Sequence, residues 1–107
     1  MLIVPKPLNA YIAASNRQDF DAMLAPFAPD AIVQDEGRIY TGHAQIMGWM
    51  VAVTEKYRTT AEVTGIEPWG KGARLAVLVS GNFLGSPATL HYTADITDDL
   101  ITRLAFG

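Results

Sequence analysis

The stretch ARLAVLVSGNFLG, residues 73 to 85, is apolar at nearly every position and rich in aliphatic residues. A strand with one wet face alternates apolar and polar residues, so a strand that does not must be covered on both sides. Around it, from Thr59 onward, the chain reads as four strands: TTAEVTGIEPW, the quoted stretch, ATLHYTADIT and LITRLAF. The turn signals GKG (70–72), GSP (85–87) and DD (98–99) separate them, which makes an antiparallel meander. Gly81, inside the longest strand, marks an expected bend or bulge.

The first half has a helical texture. Leu8, Tyr11, Ile12 and Ser15 share one face at 3.6-residue spacing behind Pro5 and Pro7, which suit a helix start. Asp19 is a good N-cap for a second, short helix FDAMLAPF, with Phe20, Leu24 and Phe27 at i, i+4 and i+7. PDAIVQDEG then reads as strand and turn, RIY as a short strand, and Gly42 opens a third helix. Ile46, Trp49, Met50, Val53 and Tyr57 form its continuous apolar stripe.

Three helices can cover only one face of the sheet. The expected architecture is therefore α+β: three N-terminal helices packed in the concave face of a curved antiparallel sheet, forming a cone, with residues 1–107 as a single domain. Val77, Val79 and Phe83 take the concave parity of the long strand. Ala76, Leu78 and Leu84 are left on the convex side beside Ser80 and Asn82, a patch that a second copy of the chain is expected to cover as a homodimer.

Composition narrows the function. Half of the 107 residues are hydrophobic and 18% are charged, which excludes disorder. Net charge is -3 with eight Lys plus Arg and no basic run, so no nucleic-acid or anionic-membrane partner is expected. Zero cysteines exclude disulfides, thiol catalysis and thiolate metal sites. MLIVPKPLNAY lacks the basic flank and apolar length of a signal peptide or membrane span, and a cytoplasmic location is expected. His43, in the first turn of helix three, and His91, of outward strand parity, lack metal-ligand partners at useful spacing; no metal and no cofactor are expected.

One acid stands out. Ala31, Val33 and Asp35 share strand parity, so if the two small apolar residues face the interior, the carboxylate faces it too. Because Glu36 and Gly37 follow, Asp35 also reads as a residue that starts a turn. Tyr11 lies on the buried stripe of helix one, where a phenol needs a partner for its hydroxyl. It is either cavity wall or catalyst.

The run YIAASNRQDFDAMLAPFAPDAIVQDEGRIYTGHAQIMGW resembles the opening of the nuclear transport factor two-like superfamily, especially its ketosteroid isomerases and SnoaL-like polyketide cyclases. The shared pattern is a helix, N-x-x-D, a short helix ending F-A-x-D-A, a strand, and Y-x-G before a third helix. The resemblance is clear over residues 8 to 57 and continues more loosely to LITRLAFG. It implies the cone and a cofactor-free site. That superfamily also hosts dehydratases, epoxide hydrolases and plain binding modules, so fold alone does not assign an activity.

The match to ketosteroid isomerases lies at two positions. Tyr11 stands where that family has its oxyanion-hole tyrosine, and Asp35 where it has its general base. The resemblance thus implies proton transfer alpha to a carbonyl, the tyrosine hydroxyl stabilising the dienolate oxygen. The third element, a protonated aspartate, has no counterpart: counting back from the chain end puts Tyr92 there, and counting forward from Gly85 puts Ala94 there. Asp95 has the opposite parity, and Met50 replaces a supporting tyrosine. Tyr92, if inward, would be a second donor.

The expected pocket takes Phe20 and Leu24 from helix two, Val33 beside Asp35, and Trp49, Met50 and Val53 from helix three. Val77, Val79 and Ala94 complete it from the meander. Two functions fit: cofactor-free isomerisation of a small hydrophobic carbonyl compound, or a non-catalytic ligand-binding or dimerisation module of the same fold.

Overall fold

The computed structural model describes residues 2–107. Its elements are α1 (Lys6–Arg17), α2 (Phe20–Leu24), β1 (Phe27–Asp35), β2 (Arg38–Thr41), α3 (Gly42–Tyr57), β3 (Thr60–Trp69), β4 (Gly72–Ser80), β5 (Ala88–Thr97) and β6 (Leu100–Phe106). Three helices and one curved six-stranded sheet make an α+β fold, as the patterning predicts.

Helix α1 starts directly after Pro5 and ends at Gln18, whose φ of 57° closes it in a left-handed cap. The Asp19 side chain accepts the Ala22 N–H at 3.2 Å and caps α2. That helix is shorter than its apolar spacing suggests: it stops at Leu24, and Phe27 begins β1. Pro26 explains the difference: Ala25 is still helical, but proline has no N–H with which to continue the hydrogen-bond ladder. Phe27 is buried all the same.

The strand order is β2-β1-β6-β5-β4-β3. All pairs are antiparallel except β1 with β6, which run parallel. The sheet is therefore mixed, where the sequence leads one to expect a purely antiparallel one, because β1 enters it next to the last strand of the meander. Two hairpins use paired positive φ values, the type I′ pattern: Glu36 (50°) with Gly37 (75°), and Asp98 (52°) with Asp99 (63°).

Strand β4 alternates cleanly. Ala73, Leu75, Val77 and Val79 are buried on the concave side, and Arg74, Ala76, Leu78 and Ser80 are half-buried on the other. Gly81 is at a bend, as expected, but just past the end of the long strand, which stops at Ser80. A Cβ on Gly81 would stand 2.6 Å from the Tyr57 carbonyl oxygen, and the next residue, Asn82, donates its N–H to that same oxygen at 2.7 Å. The chain therefore breaks where it meets the end of α3, and glycine is what permits the approach. Register shifts lie elsewhere: between Val63 and Gly65 where β3 pairs with β4, between Asp95 and Ile96 where β5 pairs with β6, and between Phe27 and Ile32 where β1 pairs with β6.

The core fills the concavity, with Leu8 of α1, Ile46 and Met50 of α3, and Leu75, Ile101 and Leu104 of the sheet fully buried. Asn16 ties α1 to the edge strand β3 like a short extra strand: its Nδ2 donates to Ala61 O at 2.9 Å, and its Oδ1 accepts the Ala61 N–H at 2.8 Å. No helix among the described residues is long and apolar enough to cross a membrane.

Candidate active site

Toward the open end of the cone the packing parts around a cavity of about 270 Å³. Asp35 reaches its wall from the last position of β1, directly before the type I′ turn. Both readings of this acid hold together geometrically: the strand parity that buries Ala31 and Val33 sends the carboxylate inward, and the turn begins at the next residue. The indole N–H of Trp49 donates to Asp35 Oδ2 at 3.0 Å. Half-buried, Asp35 has its pKa raised above the ordinary carboxylate value by desolvation, with the adjacent Glu36 charge adding to the rise; the Trp49 bond and a backbone N–H at Glu36 oppose it.

Tyr11 and Tyr92 line the same cavity from α1 and β5. Their rings are fixed edge-to-face, Tyr11 on Phe27 with centroids 5.5 Å apart and Tyr92 on Phe106 at 4.5 Å. Both residues are over nine-tenths buried, at 5% and 7% exposure. Neither hydroxyl bonds to a protein group among the described residues, and no side-chain oxygen is sealed off without a partner, so both hydroxyls open onto the cavity. Burial pushes the Tyr11 phenol well above its ordinary value, helped by Tyr92 and Asp35; burial and then the Asp35 charge push Tyr92 up to about 12. Both are neutral donors at physiological pH.

Of the expected wall, Trp49, Val53 and Val79 line the cavity. Val33, Met50, Val77 and Ala94 do not: they are essentially fully buried in the core below it. Parity assigns a face of the sheet but not a height along the cone, and these four lie where helix and sheet are in contact. Phe20 and Leu24 pack half-buried on the core, and Met23 supplies the α2 contribution instead. Between the two alternatives on β5, it is Tyr92 and not Ala94 that meets the cavity.

Several lining residues escape a parity argument. Glu36 turns back to the mouth because the tight hairpin reverses the chain there, and it accepts a hydrogen bond from the Tyr57 hydroxyl at 2.7 Å. Tyr57 itself continues the α3 stripe, a signal present in the sequence. Phe83, by contrast, keeps the concave side that strand parity assigns to it although it lies past the end of β4, and Phe106 closes β6 with its ring centroid 5.3 Å from that of Trp49. His43 Nε2 is spent on the Phe27 carbonyl oxygen at 2.9 Å.

Comparison with known proteins places this geometry in a family. The SnoaL-like domain model matches residues 8–103. A Sinorhizobium meliloti protein described as a candidate polyketide cyclase has 38% identity, with 97% of this chain and 95% of that chain covered and a TM-score of 0.93. At 20% identity the likeness concerns fold alone. A Catenulispora acidiphila protein of ketosteroid isomerase-like fold, solved with trimethylamine, covers 98% and 86% at TM-score 0.84. A cystatin-fold protein from Novosphingobium aromaticivorans covers 99% and 99% at TM-score 0.78. No match was found among curated proteins. With nearly the whole chain matched, and a 38% identical relative of the same length and shape, this chain belongs to the SnoaL-like domain family.

Proposed function

We propose that the chain binds a small hydrophobic carbonyl compound in this cavity and catalyses cofactor-free proton transfer on it. The observation that carries the reading is the presence of two buried, unpartnered phenol hydroxyls and a half-buried carboxylate in the lining of one cavity. Asp35 takes a proton from the carbon between carbonyl and alkene of a β,γ-unsaturated ketone. The electron pair left behind delocalises onto the carbonyl oxygen, where Tyr11 and Tyr92 donate, and the proton returns at the γ carbon to give the conjugated ketone. A raised carboxylate pKa favours the base role, because proton transfer is most effective when the base lies nearer the working pH. The name of the Sinorhizobium meliloti relative fits the same groups, since ring closure through an enolate also starts with α-proton removal beside a polarised carbonyl.

The test is to follow conjugation of a β,γ-unsaturated ketone by ultraviolet absorbance with the native chain, Asp35→Asn and Tyr11→Phe. Turnover that falls by about 10²-fold or more in Asp35→Asn is expected; turnover that survives it intact rejects Asp35 as base. A second reading, a binding module without turnover, is favoured by one contact: the Trp49 N–H stabilises the charged carboxylate and so weakens it as a base. Ligand binding without turnover in the native chain would select that reading. In either case a second copy on the convex face of the sheet, and a cytoplasmic setting, belong to the proposal.

A further inference from the structure

The cavity has two chemically distinct ends. Its inner end carries the Tyr11 and Tyr92 hydroxyls, which can donate to a ligand oxygen. Its outer end is formed by the exposed Glu36, hydrogen-bonded to the half-buried Tyr57, with Phe83 stacked edge-to-face on the Tyr57 ring at 6.3 Å. Aromatic rings recur along the whole wall, from Tyr11 and Trp49 to Phe106. Among the described residues, no Lys, Arg or His lines it, while two acids do.

Such a lining discriminates by charge. An anionic ligand would meet two carboxylates in the lining and no cation but the exposed Lys56 outside it. A neutral ligand would satisfy the phenols and leave the acids to water. An organic ammonium would meet a carboxylate and the negative faces of aromatic rings together, and it is weakly enough hydrated to leave water for them. A cation of the chain's own already lies at the mouth: Lys56 Nζ is 5.0 Å over the Tyr57 ring. Lys56 is fully exposed and does not line the cavity, so a ligand entering on the inner side need not displace it from water.

We infer that the ligand is an amino ketone or similar compound, its oxygen on Tyr11 and Tyr92 and a protonated or quaternary amine at its outer end, held by Glu36 and the Tyr57 and Phe83 rings. The inference rests on the ketone reading of the inner end and adds the charge that reading leaves open. It also accounts for the Tyr57 hydroxyl, which by donating to Glu36 fixes the carboxylate at the rim instead of letting it turn to solvent.

The experiment uses a matched pair that differs by one atom, 4-(dimethylamino)cyclohexanone, protonated near neutral pH, and 4-isopropylcyclohexanone, neutral and of the same shape. Calorimetry with the full chain is expected to give about tenfold tighter binding of the cation at low salt, the gain of one partly desolvated charge contact. That preference is expected to shrink to about threefold or less in Glu36→Gln, which keeps an acceptor for Tyr57, and to weaken in the native chain as salt is raised. Equal or tighter binding of the neutral ketone overturns the cation inference and leaves the ketone reading standing. A preference undiminished in Glu36→Gln overturns the assignment to the rim. If neither compound binds, the ketone reading fails and the inference with it.

Discussion

The Trp49 indole and the Asp35 carboxylate, 14 residues apart in sequence, meet at 3.0 Å across the cavity wall. Desolvation pulls the acid one way and this donor pulls it the other. Replacing Trp49 with Phe removes the donor but keeps an aromatic ring, so the Asp35 pKa is expected to rise further. Carbon-13 NMR titration of the carboxyl carbon reads it directly. An unchanged midpoint would mean that the indole does not control this carboxylate. The lost bond to a charged group is also expected to cost about 1–2 kcal/mol of stability at neutral pH, measured by urea unfolding.

The Asp35 shift has a consequence for stability. Its folded pKa lies above its ordinary value of 3.8, so the folded state holds this proton more tightly than the unfolded state. The associated stability is fully present below the unfolded pKa and is lost as pH rises through the folded one. Asp35→Asn keeps an oxygen to accept from Trp49 and carries no charge. It is expected to be more stable than the native chain at neutral pH, with the difference vanishing in acid. Urea midpoints that show the opposite order would refute the desolvated placement of Asp35.

How far the sequence reveals this arrangement depends on the reach of each interaction. The α3 stripe, the inward parity of Asp35 and the alternation of β4 follow from local periodicity, and each is legible. Phe27 shows the limit of apolar spacing, because one proline hands it from a helix to a strand. The parallel pairing of β1 with β6 joins strands far apart in sequence, and no local pattern records it. Trp49 reads as wall from its stripe. That its N–H meets Asp35 depends on how α3 lies across β1, which side-chain period does not specify. Val77 and Val79 differ only in height along one strand, yet the first is core and the second is cavity wall.

The two cavity phenols should titrate late. Tyr92 is pushed up to about 12 and Tyr11 well above the ordinary value of 10.0, both chiefly by burial. Here the folded state again holds the protons more tightly, so stability is expected to decline as pH rises from the ordinary tyrosine range toward the folded values. Tyr92→Phe should flatten part of that decline. Phenolate absorbance recorded with pH is the measurement, and ionisation of all four tyrosines at the ordinary value would place both rings in water.

Gly81 sets the distance between the end of β4 and the end of α3. A methyl group there would face the Tyr57 carbonyl at 2.6 Å and Thr59 Cγ2 at 2.8 Å, and backbone cannot yield as a side-chain tip can. Gly81→Ala is expected to destabilise by about 1–3 kcal/mol. Because Tyr57, Thr59 and Phe83 all border the cavity mouth, ligand affinity should fall with stability. An alanine variant with native stability and affinity would show that this approach is loose.

Apart from the exposed Ile39 and Trp69 elsewhere on the sheet, the convex face of β4 carries apolar residues too. Ala76 pairs with His91 of β5, and Leu78 lies between Glu62 of β3 and Thr89 of β5; Leu78 is half-exposed, and Leu84 beyond it is fully so. Small and aliphatic side chains on a curved sheet offer a smooth surface that matches a second copy of itself better than it matches water, and such isologous contacts typically remove about 800 Å² from each partner. Leu78→Arg would put two charges across the twofold axis of that pairing without entering the cavity, which lies on the other side of the sheet. Light scattering at micromolar concentration is expected to give twice the chain mass for the native protein and the single mass for Leu78→Arg, with near-ultraviolet circular dichroism from the cavity aromatics retained. If the native chain scatters as a monomer, Leu78 is simply an exposed strand residue and the convex face has no second copy to cover it.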